Sequence, residues 1–497
     1  MGLRLAALAL AATVAGCAGL PVPSETAAAD LEARCEQWLA AFDSIVAAAG
    51  TGDAESARIP GFRYLRTDRF LASHRAELDD GALSAWTDAM VHLDREARDI
   101  ERRNLPPDAR DGLRAAALRA GLMDVDAAVH VEGCGKILRE RDLADPAARR
   151  RLRDAAVVPD DYEAWKRVVG LYAVTRVPFA MGVRSYEDGV HAAFAQPAEA
   201  LPLRGRLVAY APAPRDGAER LDAALTAATA SRILRAGAGF QAPDQWDVEQ
   251  LLALHAPIFE IDEGLPADRI GVIRRGADGI PFVDTGHAVV YGRVAFTRFA
   301  GRVLPQVVYT AWFPGRPKTG AFDVLGGEWD ALVWRATLDE AGRPLIFDTM
   351  HACGCYHMFF PTPAVAERPR PGSLDEWALV PQRLPAMAPA ARVRLRVASR
   401  THYLERVEVG EVAAERRYVI SREADLRSLA APDGTARSLY GPDGIVPGSE
   451  RGERYLFWPM GIREPGAIRQ WGRHATAFVG RRHFDDADVL DRYFVLR

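Results

Sequence analysis

The spacing of apolar residues changes once along this chain, and that change limits the fold more than any other feature of the sequence. Between Leu31 and Phe194 apolar positions recur at three- and four-residue steps, the period of a helix face. In 31-LEARCEQWLAAFDSIVAAAG-50, residues Leu31, Cys35, Leu39, Phe42, Ile45 and Val46 keep this rhythm and Gly50 supplies a stop. The stretches 84-SAWTDAMVHLDREARDIERRN-104, 108-DARDGLRAAALRAG-121 and 161-DYEAWKRVVGLYAV-174 repeat it, the last two opening on an aspartate near a cap position. From residue 281 onward the period is two. The runs 287-HAVVYGRVAFTRF-299, 303-VLPQVVYTAWF-313, 330-DALVWRATL-338 and 344-PLIFDTMHACGCYHMFF-360 read as strands. Short glycine-containing links join the first pair and the last pair, as in hairpins. The expectation is an α+β chain: an α-helical domain over 31–200, a mixed connecting segment over 201–280, and a mainly antiparallel β domain over 281–497. No helical pattern separates these strand runs, which excludes a parallel doubly wound sheet.

The first residues carry a separate signal. After Arg4, 5-LAALALAATVAG-16 is a short apolar run that ends in 14-VAGC-17. The run suits a secretory signal and is too short to cross a bilayer. Apolar run, small residues and cysteine together resemble the lipobox of bacterial lipoproteins. That resemblance implies that residues 1–16 are a signal peptide and that Cys17 becomes the first mature residue, carrying diacylglycerol on its sulfur. Ala18 stands where a retention aspartate is found in enteric lipoproteins, so the likeness implies the outer membrane, facing the periplasm. Residues 17–30, with two prolines and many small residues, read as a tether. The membrane is then a partner through the lipid. A net charge of −4 gives no broad basic field for nucleic acid, and the protein or small-molecule partner stays unnamed.

Apart from Cys17 the cysteines fall into two sets. Cys35 and Cys134 are expected to form a disulfide that staples the helical domain. Cys353 and Cys355 lie in 351-HACGCYH-357, where His351, Cys353, Cys355 and His357 occupy every second position. On a straight strand the two histidines would be ~20 Å apart, which no single metal ion can bridge. A bend at Gly354 would remove that obstacle. Three chemistries suit the segment: a transition-metal site for zinc, copper or iron with His287 as a remote ligand, a strained redox-active disulfide, or a cysteine nucleophile activated by a histidine such as His287. A structural role for thiols and imidazoles is the plain alternative. Glu328 and Asp330, read as loop carboxylates in 326-GGEWD-330, are candidate proton acceptors. Asp348 is a candidate orienting acceptor for an imidazole, and His402, His474 and His483 are further imidazoles of the β domain. These features point to a metal-dependent envelope enzyme, with a non-enzymatic binding or assembly factor as the alternative.

The anchor is directly testable. Cys17→Ala should abolish incorporation of labelled lipid and move the protein from the membrane fraction to the soluble one. Unchanged fractionation would contradict the assignment.

Overall fold

The computed structural model describes residues 25–214, 223–389 and 391–497. Cys17 and the lipobox-like segment lie outside the described residues. The fold is α+β, with helices concentrated in the N-terminal part and a large curled sheet after them.

Helices α1 (Glu25–Ala49), α2 (Arg69–His74), α3 (Asp80–Asn104), α4 (Pro107–Arg119), α5 (Ala127–Ala144) and α6 (Pro146–Ala155) build the first part. Asp79, Asp126 and Asp145 each accept a backbone N–H at the start of α3, α5 and α6, satisfying donors the helix itself cannot pair. Trp38, Phe42, Trp86, Met90 and Leu138 fill a core between them. The expected bond between Cys35 and Cys134 is present, joining α1 to α5 across a sequence separation of 99 residues. Closing a loop that long restricts the unfolded chain by about 4–5 kcal/mol. One feature of this part departs from the helical reading. Strands β1 (Ala57–Ile59) and β2 (Phe62–Thr67) form a hairpin against α3 and carry the fully buried Arg66. Arg66 is neutralised by Glu101 at 2.7 Å and Asp94 at 3.3 Å. The single helix expected over 161–174 is also broken, into α7 (Ala164–Val169) and α8 (Tyr172–Ala195). Leu171 takes a φ of +49°, and a Cβ on Gly170 would meet Pro459 at 2.6 Å.

The main sheet begins earlier than the change of period suggested. Strands β3 (Arg206–Pro212) and β4 (Ile258–Glu263) come from the segment read as a connector. Helices α9 (Ala223–Ala238) and α10 (Gln245–His255) lie between them in sequence. A small side hairpin, β5 (Val272–Arg275) with β6 (Pro281–Asp284), precedes the meander of β7 (Val289–Phe299), β8 (Arg302–Arg316), β9 (Gly327–Leu338), β10 (Pro344–His351) and β11 (Met358–Pro361). After β12 (Val365–Glu367), which pairs with the C-terminal Phe494–Leu496, come β13 (Val393–Val397), β14 (Leu404–Val409) and β15 (Arg416–Arg422). The ten-stranded order is β11-β10-β9-β8-β7-β15-β3-β4-β13-β14. The meander is antiparallel throughout, as expected. Beyond it the sheet is mixed: β15 runs parallel to both β7 and β3, and β13 runs parallel to β4.

Both faces of the meander are covered. Residues of α9 and α10 pack with Val307, Tyr309, Phe313 and Trp334 on one face. The C-terminal loops bring Leu426, Tyr440, Ile468 and Phe484 against Val308, Trp312 and Val333 on the other. Strands β8 and β9 are therefore buried at consecutive positions, not alternate ones.

The helical part meets the sheet through buried ion pairs. Arg427 contacts Asp53 at 2.6 Å, Glu96 at 2.5 Å and Glu55 at 3.4 Å. Arg293 on β7 holds Glu55 and Glu423, and Gln470 donates to Asp53 at 2.8 Å. Removing the shared cation would strand several carboxylates away from water. Arg427→Ala should lower stability by about 3–5 kcal/mol in urea unfolding. A loss under about 1 kcal/mol would mean that these pairs do not join the two parts.

Candidate functional site

Strand β10 ends at His351 and the chain reverses at once. The His351 N–H donates to the Cys355 carbonyl at 3.0 Å, and the Gly354 N–H donates to the His351 carbonyl at 2.7 Å. Gly354 makes the turn possible twice over. Its φ is +92°, and a Cβ there would meet the Ala475 carbonyl oxygen at 2.3 Å. The Ala352 N–H donates to Ala331, Arg469 N–H donates to Ala352, and Arg469 Nε donates to the Cys353 carbonyl at 3.3 Å, so the turn is tied down on both sides. The segment is a bent hairpin end, which removes the straight-strand spacing of the four ligand candidates.

The bend does not gather them into one group. His351 faces Asp330, with Nδ1 at 3.3 Å from Oδ1. His357 faces Asp348, with Nε2 at 2.9 Å from Oδ2. The carboxylate of Asp348 also receives Arg335, at 2.9 Å and 2.5 Å, and His357 Nδ1 lies 3.3 Å from the Thr476 hydroxyl. That second set is fully paired and reads as a structural brace across β9, β10 and β11. Asp348 therefore orients His357, not the nearer-numbered His351. Among the described residues no three His, Cys, Asp or Glu side chains are arranged as a metal-ligand group.

Asp330 is the hub of the first set. Read from sequence as a loop acid, it is instead fully buried on β9. His402 Nδ1 lies 2.8 Å from its Oδ2, and Arg451 Nη2 lies 3.3 Å from its Oδ1. His402 Nε2 reaches Asp268 at 3.4 Å, and its ring stacks on Phe313 at 3.9 Å. Burial opposes ionisation of Asp330, but His351, Arg451 and the hydrogen bonds from both histidines outweigh it and hold the carboxyl well below the usual range. Burial also disfavours a charged His402, yet the bonds to Asp268 and Asp330 win and raise it. For His351 burial wins over Asp330, and the ring is held neutral. With Asp330 accepting at Nδ1, the proton sits there, and the buried Nε2 has no hydrogen-bond partner.

The two thiols touch. Cys353 is buried, Cys355 is half-buried, and neither is disulfide-bonded. One thiol hydrogen-bonds the other, which eases ionisation of Cys353 and, with burial, holds Cys355 well above its usual value. Glu453, on the short helix α11 (Glu453–Phe457), is a carboxylate whose charge acts on both thiols. It is 3% exposed, and its Oε2 has no hydrogen-bond partner. Tyr403 donates to Tyr356 at 2.6 Å and receives Arg316 at 3.2 Å, closing an aromatic wall beside the turn. Four residues around this site take positive φ without being glycine: Trp329 (+65°), Tyr356 (+61°), Arg400 (+68°) and His402 (+51°). Each costs roughly 1–3 kcal/mol, and such strain persists where surrounding packing imposes it, commonly at working sites.

Two other candidates fall outside the cluster. His287 is exposed and pairs with Asp284 on its own turn at 3.2 Å, so neither the remote-ligand role nor the cysteine-activating role has support in its contacts. Glu328 is exposed beside the buried Trp329. His474 is buried near the turn and depressed to about 3 by that burial, while His483 pairs with Asp160, Asp161 and Asp486. Glu453 and Arg451 were not singled out from sequence. Isolated in 450-ERGERYLF-457, they carry no local signal of the site they join. The chain matches no known protein family, no characterised protein and no solved structure.

Burial pushes the Glu453 carboxyl up to about 7, against a usual value of 4.5. The folded protein thus holds this proton more tightly than the unfolded chain. Its stabilising contribution is complete below pH 4.5 and is lost as pH rises through 7. Glu453→Gln should remove about 3 kcal/mol of the fall in stability across that window, read from unfolding midpoints against pH. Identical slopes in variant and wild type would rule out Glu453 as the titrating group.

Proposed function

We propose that Cys353 and Cys355 form a reactive dithiol that exchanges with disulfides, in a protein tethered to the cell envelope through lipid on Cys17. The observation that carries this reading is the contact between two unbonded thiols, one of them half-buried, on a braced turn with the buried carboxyl of Glu453 acting on both. The half-buried Cys355 is the sulfur an outside disulfide can reach. As Cys355 attacks one sulfur of the substrate, its proton passes along the shared hydrogen bond to the more readily ionised Cys353, the substrate S–S bond breaks, and a substrate thiolate leaves. Cys353 then attacks Cys355 in the mixed disulfide, releasing the second substrate thiolate. Two thiols become one disulfide, one substrate disulfide becomes two thiols, and the two protons pass to the leaving sulfurs. Glu453 accepts the Cys353 proton in the second step. A carboxyl that titrates near neutrality suits this task. The chain from Asp268 through His402 and Asp330 to His351 positions the turn.

The contact between the thiols also favours a second reading, the one drawn first from sequence. Two thiolates would supply two donors for a transition metal such as zinc, copper or iron, and the metal would serve as a Lewis acid. In that case His351 and His357 act through Asp330 and Asp348. In the non-enzymatic alternative the pair is only a structural disulfide.

Reduced protein mixed with a disulfide-bonded peptide separates these readings. Exchange predicts two peptide thiols released per chain and loss of two hydrogens in mass at residues 353–355. Cys353→Ser should stall as a mixed disulfide on Cys355, Cys355→Ser should not react, and Glu453→Gln should slow the second step by about 10–100-fold. Stoichiometric metal lost in the Cys353→Ser, Cys355→Ser double variant would favour the metal site. A pair already oxidised and resistant to thiol buffers would overturn exchange and favour the structural disulfide.

A further inference from the structure

A large cavity lies elsewhere. A cleft of about 1280 Å³ opens between the helical part and the sheet, walled by α2, α3, α10, β7 and β15. It has two unlike surfaces. Phe70, Phe240, Phe296, Val248 and Ile420 form an apolar wall, with Phe70 5.7 Å from Phe296 and 6.4 Å from Phe240. Glu55, Asp68, Arg69, Arg293, Glu423 and Trp471 form a polar floor. Nothing in the dithiol chemistry uses this space.

The floor discriminates between classes of ligand through its pairing. Arg69 is held by Asp161 and Asp485, Arg293 by Glu55 and Glu423, and Arg427 at the floor's edge by Asp53, Glu55 and Glu96. A phosphate or carboxylate would have to compete with carboxylates already in place on every one of these guanidinium groups. A fatty chain would leave the charged floor dry and unsolvated. Arg69, Arg293, Glu55 and Glu423 are thus already paired, so the floor favours a ligand that adds hydrogen bonds without displacing a charge. A hydroxyl group donates and accepts at once and so suits both kinds of group. The aromatic wall matches the apolar C–H face of a sugar ring. The volume exceeds the roughly 300–1,000 Å³ typical of sites for single small molecules, which suits an oligomer.

We propose that this cleft binds an uncharged oligosaccharide, its ring faces against Phe70, Phe240 and Phe296 and its hydroxyls on the Glu55–Arg293–Glu423 floor. Asp68 adds to the case. One of its oxygens accepts the Leu71 N–H at 2.7 Å, and burial raises the carboxyl to about 6, so near neutrality it is partly able to donate to a hydroxyl.

Full-length protein titrated calorimetrically with maltotetraose, cellotetraose and the tetramer of N-acetylglucosamine tests this. At least one should bind with Kd below about 1 mM, and Phe296→Ala should weaken it about tenfold or more with an unchanged unfolding midpoint. Hydrogen exchange on the wild-type protein gives a reading that needs no variant: the bound sugar should slow exchange over 292–296 and 417–423. No binding by any of the three, binding without protection there, or affinity unchanged in a folded Phe296→Ala would overturn the proposal. Binding of inorganic phosphate or palmitate in place of the sugars would overturn it as well.

Discussion

Covering both faces of the β7–β11 meander is the condition from which the rest of the molecule follows. A half-solvated antiparallel sheet can leave its outward polar side chains in water. Here α9 and α10 close one face and the C-terminal loops close the other. Any charge on these strands must therefore be neutralised inside the protein. Arg335 with Asp348 and His357 meets that demand completely. Asp330 meets it with two imidazoles and a guanidinium, at the end of the sheet where the chain turns. Pairing is less complete beside that turn, where His351 Nε2, Glu453 Oε2, Arg451 Nε and His474 Nε2 are buried without hydrogen-bond partners.

Sequence exposed the parts of the fold that local physics controls. Helix faces and glycine links are short-range features, and α1, α3, α4 and the meander follow them. The aspartates expected to cap at 108 and 161 do not, since α4 starts after Pro106 and α7 after Glu163 without a side-chain cap bond. The Cys35–Cys134 bond followed from counting. Parallel pairing leaves no such local trace: nothing in 206-RLVAYAP-212 announces a partner more than two hundred residues away in β15. The β1–β2 hairpin is too short to interrupt a helical pattern visibly. In 351-HACGCYH-357 the bend that glycine permits is present at Gly354. The division of its histidines between Asp330 and Asp348 could not be read, because it depends on which strand lies opposite. Asp330 looked like a solvated loop acid for the same reason. The residues that bury it, among them His402 and Arg451, lie far along the chain and carry no motif.

The position of β15 has a consequence for how this chain is made. It is the strand that joins the β3–β4 half of the sheet to the meander, running parallel to a neighbour on each side. During synthesis β3 and β4 emerge early and can pair only with each other, while the meander forms separately as successive hairpins. Neither half can be stitched to the other until residues 416–422 arrive, and the second face stays bare until the loops after them are complete. For most of its emergence the chain thus carries open strand edges and uncovered apolar surface, the condition in which β-rich chains aggregate. A nascent chain of this design gains by being held unfolded until its last seventy or so residues are available, since only then can the sheet close as one body.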